Sequence, residues 1–226
     1  MNNLQDFDED GAFFYEDGAF MEDDITHDEL IAIYEASNPV TDNTVLEGIN
    51  DINWSELTHA YGGAADVPAM LRAALSENKA HREVAYDIIL SSIEHQGTVF
   101  QATPYAVPFL IKMLLHEQTP NKDYLVVALW QIARDCEGVA AGISEDHTQK
   151  QVYKEIRKGL NSYIPFLEHQ NPDVRYAIVR LLCCLLEDRE QILPILNHHF
   201  QKETDEEVRE KITRNLKHYK EKYKFS

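Results

Sequence analysis

The sequence predicts an all-α protein, a right-handed α-solenoid of about four helical hairpins that follows an acidic N-terminal extension. Two observations carry this prediction. The pattern apolar-Pro-x-apolar occurs four times, and each time a basic residue, with an apolar residue three positions after it, follows about one helix length later. In addition, the negative charge of the chain is concentrated in residues 1–71. The predicted boundary places the extension at residues 1–50 and the solenoid at residues 51–226.

Each repeat unit reads as helix, turn, helix. The four tetrads are Val67-Pro68-Ala69-Met70, Val107-Pro108-Phe109-Leu110, Ile164-Pro165-Phe166-Leu167 and Leu193-Pro194-Ile195-Leu196. The basic and apolar pairs that follow them are Arg82/Ala85, Lys122/Leu125, Arg175/Ile178 and Arg209/Ile212. A two-helix unit of this size cannot bury its apolar faces alone, so neighbouring units must stack on one another.

Capping residues and prolines predict where the helices begin and bend. Asp66, Asn121, Asn171 and Asp205 stand where N-caps are expected. Proline is tolerated in a first helical turn, which suits the first two tetrads. The third proline, Pro165, follows an apolar series at spacing four and predicts a long helix that bends there.

Two histidine-containing segments are interpreted as turns at helix ends. His59-Ala60-Tyr61-Gly62 predicts a helix that stops at its glycine. His95-Gln96-Gly97-Thr98 predicts the connection into the second hairpin, with Gly97 at a tight bend and His95 capping the preceding helix. Structural turn chemistry is the preferred interpretation of both segments over a ligand site.

The charge is strongly asymmetric along the chain. The formal net charge is −18, and residues 1–71 contain 17 Asp or Glu but no Lys or Arg. The remaining residues contain 22 acidic and 21 basic side chains, and residues 208–226 hold seven basic residues against two acidic ones. Such an arrangement favours a basic partner and disfavours nucleic acid, which the acidic extension would repel.

The acidic extension repeats the segment EDGAF at residues 9–13 and 16–20. Carboxylates can pair with Lys and Arg of a partner, while the rings supply apolar area and can stack on guanidinium groups. The alternative is that these rings pack on the first helical hairpin and the carboxylates only face water. The candidate partner-binding residues are Asp8, Glu9, Asp10, Phe13, Phe14, Tyr15, Glu16, Asp17 and Phe20.

A calcium site is a second hypothesis for the same segment. Asp6, Asp8 and Asp10, followed by Gly11, reproduce the first half of an EF-hand loop, whose twelfth position would be Asp17. That position normally needs Glu, and too few residues precede Asp6 to form the entering helix. An acidic turn is therefore the preferred interpretation, and we expect no metal or other cofactor.

The repeats and two longer segments resemble known proteins. The segments 171–175 (NPDVR) and 206–209 (EEVR) resemble the start of the second helix of HEAT repeats. Residues 52–75 and 94–110 resemble a family of bacterial HEAT-repeat-domain proteins marked by HAYG…DVP and HQGTV…AVPFL stretches. Some of its members lie near toxin genes, so the resemblance implies an immunity or antitoxin role and brings no catalytic residues with it. Residues 1–50 lie outside the resemblance.

We therefore expect a non-catalytic protein-binding protein, an immunity or antitoxin protein that occludes a basic toxin or effector. The alternative is a scaffold in which the acidic end of one copy contacts the basic end of another. An enzyme is least supported, because iron-binding HEAT-type hydroxylases use several His-Glu dipeptides and this chain has one, His116-Glu117. With no membrane-length apolar run and no signal-peptide pattern, we expect a cytoplasmic location. The adjacent Cys183 and Cys184 lie in an apolar helical run, and we expect them to be small core residues.

Overall fold

The computed structural model describes residues 44–222, with side chains up to residue 217, and this part of the chain is predominantly helical. The all-α prediction is confirmed. The helices are α1 (Val67–Ala73), α2 (Lys79–Ile93), α3 (Thr103–Leu115), α4 (Lys122–Asp135), α5 (Glu137–Ala140), α6 (His147–Lys158), α7 (Leu160–Tyr163), α8 (Pro172–Cys184), α9 (Arg189–Lys202) and α10 (Glu206–Lys222). Short 3-10 helices cover Ile49–Asp51, Trp54–Glu56, Ile164–Glu168 and Leu186–Asp188.

Four two-residue strands form two small antiparallel hairpins. Strands β1 (Thr58–His59) and β2 (Gly62–Gly63) form the first, and β3 (Glu94–His95) and β4 (Thr98–Val99) form the second. The predicted helix end at Gly62 is therefore wrong, because the chain pairs there as a hairpin. The tight bend predicted at Gly97 is confirmed: Gln96 and Gly97 have φ of 50° and 78°, the left-handed values of a two-residue hairpin turn.

The helices pack in two rows. Helices α2, α4, α8 and α10 contact one another in that order, with the most extensive contact between α4 and α8. In the other row α3 packs against α6, and contacts between the rows join α1 to α2 and α3 to α4. The 3-10 helix Ile164–Glu168 packs on α8. One continuous apolar core runs between the rows.

The repeated sequence pattern marks the helices of the first row. The four apolar residues that follow the basic positions are fully buried in the core: Ala85, Leu125, Ile178 and Ile212. Because the basic residue lies three positions earlier, nearly one helical turn, it sits at the edge of that buried face. The pattern therefore predicted correctly which face of each helix turns inward.

Two of the basic residues join successive helices of the first row. Arg82 on α2 donates from Nε to Oδ1 of Asn121 at 2.9 Å, and Arg175 on α8 donates from Nε and Nη2 to the Glu203 carboxylate at 2.7 Å each. Nη1 of each arginine also donates to two carbonyls of the turn before its own helix, at 2.8 and 3.0 Å for Arg82 and 2.9 and 3.1 Å for Arg175. Each guanidinium thus ties its own turn to the next unit.

Half of the predicted N-caps are confirmed. Asn171 Oδ1 accepts a backbone N–H two residues on, and Asp205 Oδ1 accepts one three residues on. The prediction is wrong for Asn121, whose backbone is left-handed with φ of 54° and whose side chain accepts from Arg82 instead. It is also wrong for Asp66, whose carboxylate binds a buried histidine rather than the N–H groups of α1.

The prolines behave differently in each unit. Pro68 lies in the first turn of α1, as predicted. Pro108 lies inside α3 and Pro104 takes the first turn, so that prediction is wrong for the second tetrad. The long helix expected to bend at Pro165 is interrupted earlier, at Gly159, and continues as α7 and a 3-10 helix that contains the proline.

The core begins before the predicted domain boundary at residue 50. Val45 and Ile49 are each only 4% exposed and pack in the same core as the helices. The capping box at Thr26-His27-Asp28-Glu29 predicts a short helix over residues 26–36, and Asp17-Gly18 predicts a hairpin turn within residues 12–21. Both segments lie outside the described residues and stay predictions. The three cysteines are free thiols buried in the core, and the prediction made for Cys183 and Cys184 is confirmed.

Candidate functional site

The candidate site residues from the sequence lie before residue 44, outside the described part of the chain. Both the partner-binding hypothesis and the calcium alternative therefore stay predictions. The residues concerned are Asp6, Asp8, Glu9, Asp10, Phe13, Phe14, Tyr15, Glu16, Asp17 and Phe20.

Within the described residues, the two histidine-containing segments come together at one place. We call this place the motif junction and define it as residues 58–66 and 94–105. The first hairpin is bonded to the end of α2 through Ala60 N–H, which donates to the Ser92 carbonyl at 2.9 Å. It is bonded to the second segment through Ala102 N–H, which donates to the Thr58 carbonyl at 3.0 Å. Segments that are distant in sequence thus share one backbone network.

His59 is a structural member of this network. Its ring is buried, its Nδ1 accepts the Tyr61 N–H at 3.0 Å, and its Nε2 lies 3.0 Å from Asp66 Oδ1. Since Nδ1 is an acceptor, the proton of the neutral ring lies on Nε2 and is donated to the carboxylate. Both ring nitrogens are used, so His59 fixes the hairpin rather than presenting a base to a substrate.

The exposed Tyr61 packs against the half-buried His95. Their ring centroids are 5.5 Å apart at an interplanar angle of 66°, and Tyr61 Oη is 3.5 Å from His95 Nδ1. The sequence predicted that His95 caps the end of α2. The His95 ring contacts Tyr61 instead, so that prediction is wrong. Tyr61 is 64% exposed, and Tyr105, on the first turn of α3, is 42% exposed.

A buried pair of carboxyl groups, Glu94 and Asp135, lies behind the second hairpin. Glu94 is 7% exposed, and its Oε1 accepts the Gly97 N–H of the hairpin turn at 3.0 Å. The Asp135 side chain is 4% exposed; its Oδ1 has only a long contact of 3.4 Å from Arg134 Nε, and its Oδ2 is buried without an N–H or O–H donor.

A shared proton explains how this pair is accommodated. Burial above all, and then the charge of Glu94 and a hydrogen bond with it, raise the pKa of Asp135 to about 7, although Arg134 acts in the opposite direction. Two buried carboxylates side by side would repel, whereas one proton between them supplies the missing donor. The pair therefore links the 94–99 hairpin to the end of α4 through a hydrogen bond that requires protonation.

Local sequence patterns do not predict this junction. Glu94 and Asp135 are far apart in the sequence, and neither belongs to a local pattern that predicts a partner. The available signal was the pair of Gly-containing turns, interpreted above as turns at helix ends. Nothing in either turn predicts that the two would meet.

A second buried cluster lies at the end of α9. Hydrogen bonds from Arg175 lower the pKa of Glu203 to about 2, and burial lowers the pKa of the adjacent His199. The adjacent histidines His198 and His199 point apart on a helix, so the sequence predicts surface or groove positions for both. His199 is only 5% exposed, and that prediction is wrong for it. The cluster joins α8 to the end of α9 and is structural.

The basic C-terminal helix presents a shallow cleft of mixed charge. The cleft between α9 and α10 has a volume of about 550 Å³ and is lined by Phe200, Glu206, Arg209, Glu210, Thr213 and Arg214. Arg209 stacks over Phe200 at 5.4 Å, and Lys211 pairs with Glu207 at 2.6 Å. Lys211 is therefore paired within its own helix, whereas Arg209 contacts an aromatic ring of α9.

Two further observations concern residues 44–222 only. No helix in this range combines the length and the apolar character that crossing a bilayer requires. The same residues contain no group of three or more His, Cys, Asp or Glu side chains placed to hold a metal ion.

Comparison of this chain with protein-family models, with curated proteins and with solved structures found no match.

Proposed function

We propose that this protein is a non-catalytic binding protein, an immunity or antitoxin protein of the bacterial cytoplasm that binds and occludes a basic toxin or effector. Its helices then form a right-handed solenoid of about four HEAT-like hairpins. The ordered contacts of α2, α4, α8 and α10 support this arrangement. So do Arg82 and Arg175, which make equivalent contacts to the following unit.

The continuity of the acidic surface is the observation that carries the proposal. Residues 44–71 contain four carboxylates and no Lys or Arg, which continues the composition of residues 1–43 onto the folded domain. Three of these carboxylates, those of Glu47, Asp51 and Glu56, are exposed. The N-terminal end of the folded domain is therefore acidic, as the preceding N-terminal region is, and its charge favours a positively charged partner.

In the proposed mechanism, carboxylates of the N-terminal region take the place of the substrate phosphates that a nuclease-type effector attracts. Long-range attraction speeds the encounter, and aromatic side chains supply the apolar contact that slows dissociation. Because exposed charges are screened by salt, the association rate should fall steeply as ionic strength rises.

Affinity purification tests this proposal. The full chain and a variant that lacks residues 1–25 are used to retain proteins from a lysate of the source organism, and each retained protein is identified by mass. The candidate partner is then purified, and its association rate is measured at low and physiological salt. The proposal requires a basic partner that the full chain binds, whose activity it inhibits and whose association rate falls with salt. If the retained proteins are neither basic nor inhibited, the proposal is wrong.

Self-assembly is the second candidate, favoured by the exposed cations Arg209, Arg214 and Lys217 on α10. In that case the acidic end of one molecule contacts α10 of the next. Sedimentation velocity at increasing salt distinguishes the two functions, since a self-assembled chain dissociates as salt rises and an immunity protein does not change its mass.

A further inference from the structure

The motif junction carries an aromatic side chain, Tyr61, that is exposed to solvent and does not belong to the hydrophobic core. Tyr61 is the most exposed tyrosine of the described residues at 64%, although most large apolar side chains in this part of the chain are buried. Its ring rests against His95, and its backbone N–H is held by His59. The side chain is therefore exposed and fixed in place at the same time.

The backbone around Tyr61 is equally constrained. The strands of both hairpins are paired, and backbone hydrogen bonds join the first hairpin to the end of α2 and to the start of α3. There is open space around Gly62 and Gly63, where an added Cβ would meet nothing within 4 Å. A preorganised tyrosine beside small residues loses little conformational entropy when another molecule packs on it.

The segment of the chain that carries this surface is acidic. The 3-10 helix Trp54–Glu56, which carries the exposed Glu56, contacts strand β2 next to Tyr61. The residues from 44 to 71 include no Lys or Arg. An exposed ring in a negative field attracts a cation to its face, and guanidinium groups stack on such rings better than ammonium groups do.

We propose that the motif junction is a preformed docking surface for a basic segment of a protein partner, with an arginine of that segment stacked on Tyr61. Gln101, just before α3, and Tyr105, on its first turn, are both exposed and extend the surface, and Gln101 Oε1 accepts from Thr58 Oγ1 at 3.2 Å. The inference rests on the proposed function for the kind of partner, but it assigns the contact to the folded domain rather than to the N-terminal region.

Nuclear magnetic resonance of the full chain with ring-¹³C-labelled tyrosine tests the inference. The signals of Tyr61, Tyr105 and Tyr15 are assigned with Tyr→Phe variants at each position. The protein is then titrated with a blocked tetrapeptide that has two central arginines, and separately with peptides that have two lysines or two glutamates. We expect a saturable shift of the Tyr61 signal with the arginine peptide, a smaller one with the lysine peptide and none with the glutamate peptide.

The outcomes separate this inference from the proposed function. A shift of the Tyr15 signal alone means that only the N-terminal region binds cations, and the inference is overturned while the proposed function stands. A shift of Tyr61 alone supports the docking surface. No shift at either position contradicts both proposals. If the Tyr61 signal shifts with the concentration of the protein and not with that of the peptide, Tyr61 lies at an interface between copies, and the inference is overturned.

A purified partner gives a second test with a matched control. Tyr61→Ala should weaken binding about tenfold, because it removes the stacked ring at the centre of the surface. Ile143→Ala changes a side chain that is 80% exposed outside the motif junction and should leave the affinity unchanged. Equal effects of the two variants would overturn the inference.

Discussion

The buried pair Glu94–Asp135 makes a specific prediction about the pH dependence of stability. The pKa of Asp135 is about 7 in the folded protein against 3.8 for an unperturbed aspartate. Between these two values the folded state therefore binds more protons than the unfolded state does. The free energy of unfolding must then fall as the pH rises through this window.

The size of the effect follows from the difference between the two pKa values. A difference of about three pKa units corresponds to about 4 kcal/mol, and one proton limits the slope to about 1.4 kcal/mol per pH unit. The Asp135 side chain is 4% exposed, so solvent screens this effect little. The loss should begin near pH 4 and be complete slightly above pH 7.

The perturbation is Asp135→Asn. An amide at this position can donate to the Glu94 carboxylate permanently, so it replaces the shared proton at every pH. The variant should match the wild type near pH 4 and exceed its free energy of unfolding by up to about 4 kcal/mol at pH 8. Arg134 and Cys136 lie beside Asp135, and the substitution leaves both in place.

Urea denaturation at pH 5, 6, 7 and 8, followed by the fluorescence of the buried Trp54 and Trp130, measures the effect. Asp146→Asn is the matched control, because it makes the same chemical change at an exposed N-cap where asparagine caps equally well. This control should keep the slope of the wild type. Parallel curves for Asp135→Asn and the wild type would show that Asp135 is ionised in the folded protein and would refute the shared proton.

Three further predictions concern the helical framework. Arg175→Ala leaves the Glu203 carboxylate buried without its bidentate partner and should lower the free energy of unfolding, measured by urea denaturation, by about 3–5 kcal/mol. Lys79→Ala removes an exposed ion pair and should cost under about 0.5 kcal/mol, so similar losses would contradict the difference in burial. Gly159→Ala places a Cβ 2.3 Å from Tyr163 Oη, so the Tyr163 ring must move and lose its hydrogen bond to the Ile156 carbonyl. The melting temperature should fall by several degrees, and an unchanged melting temperature would refute this close approach. Burial raises the pKa of the three cysteine thiols, so a thiol reagent at pH 8 should react with them only as fast as the protein unfolds, and immediate labelling would contradict their burial.

The sequence allowed the helical framework to be predicted because that framework depends on local, periodic signals. Leu125 and Ile178 are buried where a helical period places them, and Asn171 caps the helix that it precedes. Arg175 was recognised as a repeated position, although its contact with Glu203, 28 residues away, was not. Local signals identify positions within an element but not their partners in the next element.

The motif junction could not be predicted in the same way. A two-residue strand is too short to show an alternating pattern, so Thr58–His59 carries no strand signal of its own. Its pairing depends on the fixed end of α2 and the start of α3, which contribute the Ser92 carbonyl and the Ala102 N–H. Asp66 looked like a helix cap because capping is a local function, and a tertiary contact with His59 took its place.

The polar groups at the junction bear on its role. Burying His59 with Asp66, and Glu94 with Asp135, removes four polar side chains from water, and such pairs stabilise a fold less than apolar residues of the same volume do. Their hydrogen bonds are directional, however, and fix the positions of the two hairpins more closely than apolar packing does. The feature that gains from this precision is the exposed one, the Tyr61 ring held against His95. A costly buried network beneath a fixed, exposed aromatic side chain is expected of a recognition surface, and it supports protein binding by the folded domain as well as by its acidic extension.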